Sequence, residues 1–147
     1  MRYMGLDLGT KTLGVAISDV TGTIATGLKT LRFEEDMPQD CLPFLTNIIN
    51  EYNVRAIVIG LPKNMNNTLG IAAQRTEDFT KILNDAYKLP VYMQDERLSS
   101  VSANNVLLQA DVSRKKRKSK VDTIAATIIL QNYLDIRKEK EKWKTTN

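Results

Sequence analysis

The sequence contains no histidine and a single cysteine, Cys41. Without histidine, catalytic systems with an imidazole base and zinc sites with imidazole ligands are excluded. One cysteine can form neither an intrachain disulfide nor a thiolate metal site, so we expect a reducing, cytoplasmic location. Any bound metal must be held by oxygen atoms, which favours Mg²⁺ or Mn²⁺.

Long apolar runs are also lacking. None approaches the roughly 18 residues that a membrane span needs. The first residues include Arg2 and lack the apolar stretch of a signal peptide, so we expect neither a membrane span nor a secretory leader.

The 147 residues carry a net charge of +4, but this charge is unevenly distributed. Residues 1–112 contain 10 Lys and Arg against 13 Asp and Glu, whereas residues 113–147 contain 11 against 4. A basic C-terminal part that follows a mildly acidic remainder favours an anionic partner, and nucleic acid is the first candidate. A solubilising tail would explain the same asymmetry.

The length suits one domain, and neither a repeat nor a linker divides the chain. Apolar patterns predict three strands (2–8, 13–18, 24–31), then a helix (38–52), a strand (56–59), a helix (70–87), a strand (90–94) and two helices (99–109, 121–137). The first two strands are so close in sequence that they must form an antiparallel hairpin, and helical crossovers join the later strands. The sequence therefore predicts an α/β fold, a mixed five-stranded sheet with helices on both faces.

Two details complete this predicted organisation. The helix at 70–87 is expected to bury the apolar side chains Ile71, Phe79, Ile82, Leu83 and Ala86. Residues 113–120 form a basic loop within the single domain, and residues 138–147 a loosely ordered tail.

Asp7 is the first candidate for chemistry. Its neighbours in the predicted strand are apolar or small, so its carboxylate is costly to desolvate without a partner. It either caps the turn that follows, through the amides of Gly9 and Thr10, or binds a cation at the edge of the sheet. Lys11 adds a positive charge to the same turn.

Glu96 and Asp122 are the other two acidic candidates. Glu96 follows the strand at 90–94, and it is either one charge of an exposed loop or a ligand at the carboxyl ends of the strands. Asp122 starts the last predicted helix, where an acidic residue is favoured by the helix dipole alone. The small residues Ala125 and Ala126 would, however, let this helix approach the sheet and bring Asp122 towards the strand ends.

Three carboxylates without histidine suit hydrolysis of a phosphodiester by two cations, which lie about 3.5–4 Å apart in such sites. Asp7, Glu96 and Asp122 are therefore the predicted catalytic residues and metal ligands. Several cationic or amide side chains are predicted to contact nucleic acid: Lys11, Lys63, Asn64, Arg97, Arg114, Lys115, Lys116, Arg117, Lys118 and Lys120.

Four motifs together resemble the YqgF/RuvX family over nearly the whole chain. They are the blocks at residues 7–11 (DLGTK), 60–65 (GLPKNM), 95–99 (DERLS) and 120–122 (KVD), and they follow the family's order. The resemblance implies an RNase H-like fold related to the RuvC resolvase, and it assigns Asp7, Glu96 and Asp122 to the family's acidic positions. Bacterial members are described as nucleases that mature the 5′ end of precursor 16S rRNA, and formerly as Holliday junction resolvases.

Three other functions compete with rRNA processing. The first is a Holliday junction resolvase. The second is an RNA-binding factor of ribosome assembly with little or no cleavage. The third is an ATP-dependent phosphotransferase, because sugar kinases and actin-like ATPases also open with Asp-x-Gly-Thr. Those proteins need two such domains, and this chain has one domain without a repeat of the motif.

Overall fold

The computed structural model describes residues 1–62, 70–95 and 123–138. The elements follow in the order β1 (Arg2–Leu8), β2 (Thr12–Ser18), β3 (Ala25–Arg32), a 3₁₀ turn (Pro38–Cys41), α1 (Leu42–Tyr52), β4 (Val54–Leu61), α2 (Ile71–Tyr87) and β5 (Val91–Asp95). Residues 123–138 form a last helix, α3. The predicted helix at 99–109 and the basic loop at 113–120 lie outside the described residues.

The five strands form one sheet in the order β3-β2-β1-β4-β5. β2 is antiparallel to both β1 and β3, whereas β4 is parallel to β1 and β5 is parallel to β4. The tight hairpin and the helical crossovers account for this mixture, because only antiparallel neighbours can be joined by a few residues. The predicted mixed five-stranded sheet is confirmed.

The sheet has a hydrophobic core on each face. On one face, Met4, Leu6 and Leu8 of β1 pack with apolar residues from α1 and α2. On the other face, Tyr3 joins Ala126 and further residues of α3. Successive side chains of a strand point to opposite faces, so the continuous apolar run in β1 and β4 serves both cores. Helices on both faces are thus confirmed.

The predicted helical stretch from Pro38 to Tyr52 is confirmed, with the difference that residues 38–41 form a 3₁₀ turn and α1 starts at Leu42. One detail of the second predicted helix is wrong. In α2, Phe79 and Leu83 are buried, but Ile71 is 82% exposed and Ala86 is also exposed. The buried stripe of α2 runs through Ala73, Thr76, Phe79 and Leu83, and Ile71 lies on the opposite side of the helix.

The β2–β3 turn is organised by Asp19. Its Oδ1 accepts hydrogen bonds from the backbone amides of Thr23 (2.8 Å) and Ile24 (2.9 Å), and its Oδ2 accepts one from the Thr21 hydroxyl. The bonds from Ile24, Thr21 and Thr23 hold the pKa of the Asp19 carboxyl well below its usual range. The carboxyl group of Asp19 is thus stabilised as an anion in the folded state. Its contribution to the stability of the fold is fully present above the pKa of an unfolded aspartate, and it is lost as the pH falls through the pKa of the folded state.

Asp19→Asn should therefore lower the thermal melting temperature at neutral pH. The deficit relative to the parent should shrink as the solution is acidified below the ordinary aspartate pKa, about 3.9, because the unfolded parent then binds a proton at Asp19 that the folded parent does not bind. Melting curves of both proteins between about pH 7 and about pH 2.5 measure this. A deficit that stays constant over the whole range would contradict the role assigned to the Asp19 charge.

No helix in the part of the chain that the structure describes has both the length and the apolar character needed to cross a bilayer.

Candidate metal and nucleic-acid site

The carboxyl ends of three parallel strands meet at one edge of the sheet. Leu6 of β1 pairs with Ile59 of β4, and Ile59 pairs with Met93 of β5. Asp7 is one residue beyond Leu6, and β5 ends at Asp95, level with Leu61. Ligand sites of such sheets lie beyond the carboxyl ends of the strands, so this edge is the candidate site.

Asp7 lies on the face of the sheet that α3 covers. Tyr3 and Gly5 alternate with Asp7 along β1, and both lie against α3, Tyr3 in its core cluster and Gly5 beside Leu130. Asp7 is half-buried there. Its cross-strand partner on β2 is Gly14, and on β4 the residue after Ile59 is Gly60. The carboxylate is thus flanked in both neighbouring strands by residues without side chains, as expected where a ligand approaches a sheet closely.

The described part of α3 starts at the same edge and runs antiparallel to β1. Its residue Thr123 hydrogen-bonds Thr30 of β3 through the two hydroxyls, 2.5 Å apart, and Arg137 lies near the other end of β1, 5.3 Å from the Tyr3 ring centroid. Thr30 pairs with Gly14, which pairs with Asp7. The row Asp7–Gly14–Thr30 therefore links the candidate carboxylate to the start of the described part of α3.

Two glycines let α3 approach the sheet. A β-carbon on Gly5 would lie 2.7 Å from Cβ of Leu130 and 3.1 Å from the carbonyl oxygen of Ala126. One on Gly27 would lie 2.5 Å from Cγ2 of Thr123. The predicted close approach of this helix is confirmed, and Gly5 and Gly27 contribute to it from the side of the sheet.

The hairpin beside Asp7 carries Lys11. The amide of Gly9 donates to the carbonyl of Thr12 (2.7 Å), which closes the turn, and the amide of Phe33 donates to the carbonyl of Lys11 (2.9 Å). The side chain of Lys11 is exposed. A cation is therefore held at the edge where Asp7 lies, as the sequence predicted.

The other predicted site residues lie outside the described residues. Asp95, the last residue of β5, precedes Glu96 in the sequence, and Thr123 follows Asp122. The same holds for the remaining predicted nucleic-acid contacts: Lys63, Asn64, Arg97, Arg114, Lys115, Lys116, Arg117, Lys118 and Lys120.

The chemistry of Asp7 fits a hard cation, because a carboxylate supplies the oxygen ligands that Mg²⁺ and Mn²⁺ prefer. Within residues 1–62, 70–95 and 123–138, no three His, Cys, Asp or Glu side chains form a group able to hold a metal. The thiol of Cys41 belongs to the core with α1 and α2, and burial, with the nearby charge of Asp40, raises its pKa. Cys41 is therefore unsuited to act as a thiolate ligand.

The sequence interpretation missed the neighbours of Asp7 in the sheet. Gly14 and Thr30 lie in its row because of how the hairpins pair, and neither residue carries a motif of its own. The signal available was the alternation of side chains along β2, which places Gly14 opposite Asp7 once the hairpin register is known.

The strand order, the mixed sheet and the helices on both faces define an RNase H-like α/β domain. RuvC of Thermus thermophilus superimposes with a TM-score of 0.58 over 95% of this chain and 97% of that chain, at 14% identity. The fowlpox virus resolvase in complex with Holliday junction DNA gives a TM-score of 0.57 over 92% of this chain and 97% of that chain, at 12% identity. At such identities these likenesses show the fold alone.

The family model described as "RuvX: Holliday junction resolvase" matches residues 1–136. A protein of Geobacillus sp. (strain WCH70) named "Putative pre-16S rRNA nuclease" is 52% identical over 92% of this chain and 98% of its own length. A protein of Thermoanaerobacter pseudethanolicus with the same name is 50% identical over 95% of this chain and 100% of its own length. The chain belongs to the RuvX (YqgF) family.

Proposed function

We propose that this chain is a metal-dependent nuclease that processes the 5′ end of precursor 16S rRNA during ribosome biogenesis. The observation that carries the proposal is the half-buried Asp7, between two glycines, at the edge where the parallel strands end and α3 begins. The name of the relatives at about half identity supports the choice of substrate.

Asp7, Glu96 and Asp122 are proposed to bind the metal ions, Mg²⁺ or Mn²⁺. Glu96 directly follows Asp95 in the sequence, and β5, which ends at Asp95, lies two strand spacings, about 10 Å, from β1. Asp122 directly precedes Thr123, which contacts the row of Asp7. When bound, divalent cations supply the activated water and neutralise the charge that develops on the leaving oxygen. The chain's own contribution is to hold carboxylates on separate elements around one edge.

The cationic residues are proposed to bind the nucleic-acid backbone. Lys11 is exposed in the turn that follows Asp7. In the sequence, Lys63 and Asn64 come shortly after the end of β4, and Arg97 shortly after the end of β5. Six cations stand within residues 114–120, directly before Asp122 in the sequence, and each phosphate that they neutralise adds to affinity and to its loss with salt.

A Holliday junction resolvase is the second candidate, because the matching family model carries that description. Cutting a four-way junction symmetrically needs two active sites related by a twofold axis, so that function would require a dimer. A cytoplasmic, single-domain protein is proposed in either case, in keeping with the reduced cysteine and with core clusters that share one sheet.

A cleavage assay tests the proposal. The purified protein is incubated with precursor 16S rRNA, single-stranded DNA and a four-way DNA junction, each with Mg²⁺, with Mn²⁺ or with chelator. We expect metal-dependent cleavage in the 5′ leader of the precursor rRNA and none with chelator. Preferred cleavage of the junction would favour the resolvase. Binding of the rRNA without cleavage in either metal would contradict the nuclease function and favour an assembly factor.

A further inference from the structure

Arg32 ends β3 on the same face and at the same edge as Asp7. It pairs with Thr12, two rows beyond the row Asp7–Gly14–Thr30. Thr30 faces α3 through its hydrogen bond to Thr123, and Arg32, two residues further along the strand, points to the same face. Two strand spacings and two residues separate Arg32 from Asp7, roughly 12 Å between α-carbons.

The guanidinium of Arg32 is available for a ligand. The side chain is exposed, and it has no salt-bridge partner among residues 1–62, 70–95 and 123–138. Nearby, Lys11 is tied to the end of β3 by the bond from the Phe33 amide to its carbonyl, so both cations stand at the same corner of the sheet. The remaining cation of β3, Lys29, lies on the opposite face, 5.2 Å from the centroid of the Phe44 ring.

The division of these cations between the two faces has a structural cause. The β2–β3 pairing shifts between Val15 and Ala16, so that Val15 pairs with Lys29 and Ala16 with Gly27. Leu28 is the extra residue of this irregularity, and it packs with the core under α1. Beyond it the regular alternation places Thr30 and Arg32 towards α3 and Lys29 away from it.

We propose that Arg32 forms a binding subsite for a nucleic-acid phosphate next to the one that lies at Asp7. An arginine binds a phosphate through two parallel N–H···O bonds, which fixes the backbone as well as attracting it. Together with Lys11, Arg32 extends the contacts of the bound nucleic-acid strand across β2 and β3. These contacts lie on the side of Asp7 away from β4 and β5. This inference rests on the proposed function for its substrate class, but not on cleavage.

The test measures binding in buffer with chelator, where the proposed mechanism allows no cleavage. Fluorescence anisotropy of a short labelled single-stranded RNA, of DNA of the same sequence and of the RNA duplex is recorded over a series of KCl concentrations. Three variants are compared with the parent: Arg32→Gln, Arg32→Lys and Arg55→Gln. Arg55 is the matched control, because it is an exposed arginine near the start of β4, at the opposite edge of the sheet. Thermal melting is used to check that every variant is folded.

Arg32→Gln should weaken binding and reduce the slope of log affinity against log salt by about 0.7 for a single strand, or about 0.9 for a duplex. Arg32→Lys should keep the slope and lose part of the affinity, since lysine retains the charge without the bidentate geometry. Arg55→Gln should leave both unchanged. An unaltered slope in Arg32→Gln, or an equal loss in Arg55→Gln, would overturn the subsite.

The outcomes separate the two proposals. If the parent binds and cleaves while Arg32→Gln keeps the parental slope, the nuclease stands and the Arg32 subsite falls. If the slope falls as expected but the parent cleaves nothing with Mg²⁺ or Mn²⁺, the subsite stands and the nuclease falls. Comparing RNA with DNA shows whether the subsite prefers either backbone.

Discussion

Asp7→Asn should abolish cleavage with Mg²⁺ or Mn²⁺ while leaving the protein as stable as the parent, or more stable. If Asp7 is one of three carboxylates at a shared edge, the metal-free site contains crowded negative charge that only cations relieve. Asparagine keeps the shape and removes one charge, so metal affinity falls and the repulsion decreases. We expect the cleavage rate to fall by at least about 10³-fold, the scale of losing one member of a catalytic set.

A structural Asp7 would behave differently. Asparagine caps a turn nearly as well as aspartate, so a capping residue would tolerate the change with stability and activity both near normal. Asp19→Asn is the matched control, because Asp19 is a carboxylate at the opposite edge of the sheet whose hydrogen bonds hold a turn together. Both oxygens of Asp19 accept hydrogen bonds, whereas asparagine has only one acceptor oxygen, so there the same substitution should lower stability and leave the cleavage rate unchanged.

Two measurements decide between these roles: thermal melting without metal, and cleavage with it. Asp7→Asn and Asp19→Asn should show opposite patterns, lost activity with retained stability in the first and retained activity with lost stability in the second. Full activity in a well-folded Asp7→Asn protein would refute the metal mechanism, whatever the substrate proves to be.

The order of the elements could be predicted because local pattern and topology agree. The apolar run within β4 indicated a strand buried on both faces, and all of its residues from Ala56 to Gly60 are buried. The short hairpin after Asp7 required an antiparallel pair. Ile71 was misplaced because hydrophobicity alone does not reveal which side of α2 meets the sheet. The buried side of α2 runs through Phe79 and Leu83 instead.

The position of Asp7 at the edge where the parallel strands end could also be predicted, since the carboxyl ends of parallel strands share one edge. Its neighbours could not, because they depend on cross-strand register. The irregularity at Val15 and Ala16 determines that Thr30 and Arg32, rather than Lys29, share the face of Asp7. No local propensity encodes that shift. The contributions of Glu96 and Asp122 stay predictions.

Gly5→Ala should destabilise the protein and reduce cleavage by more than its loss of stability explains. The new β-carbon would lie 2.7 Å from Cβ of Leu130 and 3.1 Å from the Ala126 carbonyl oxygen, both fixed to the backbone of α3. Neither atom can move aside by a side-chain rotation, so the helix itself must shift. Overpacking of this kind costs about 1–3 kcal/mol, which exceeds the roughly 0.5–1 kcal/mol that alanine gains over glycine through backbone entropy.

The effect on activity follows from where α3 begins. Thr123 is tied to the row of Asp7, and Asp122, the proposed metal ligand, is its neighbour in sequence. A displacement of about 1 Å at a catalytic group can reduce the rate by about 10²-fold. Ile48→Ala is the matched control, because Ile48 is a residue of α1 that is buried in the core on the opposite face of the sheet. Its truncation costs roughly 2–5 kcal/mol, which is comparable to the cost of Gly5→Ala or larger. Melting curves and cleavage rates are measured at a temperature where both variants are folded. Gly5→Ala should be more stable than Ile48→Ala and yet less active. Activities that instead follow stability alone would mean that the position of α3 does not control the site.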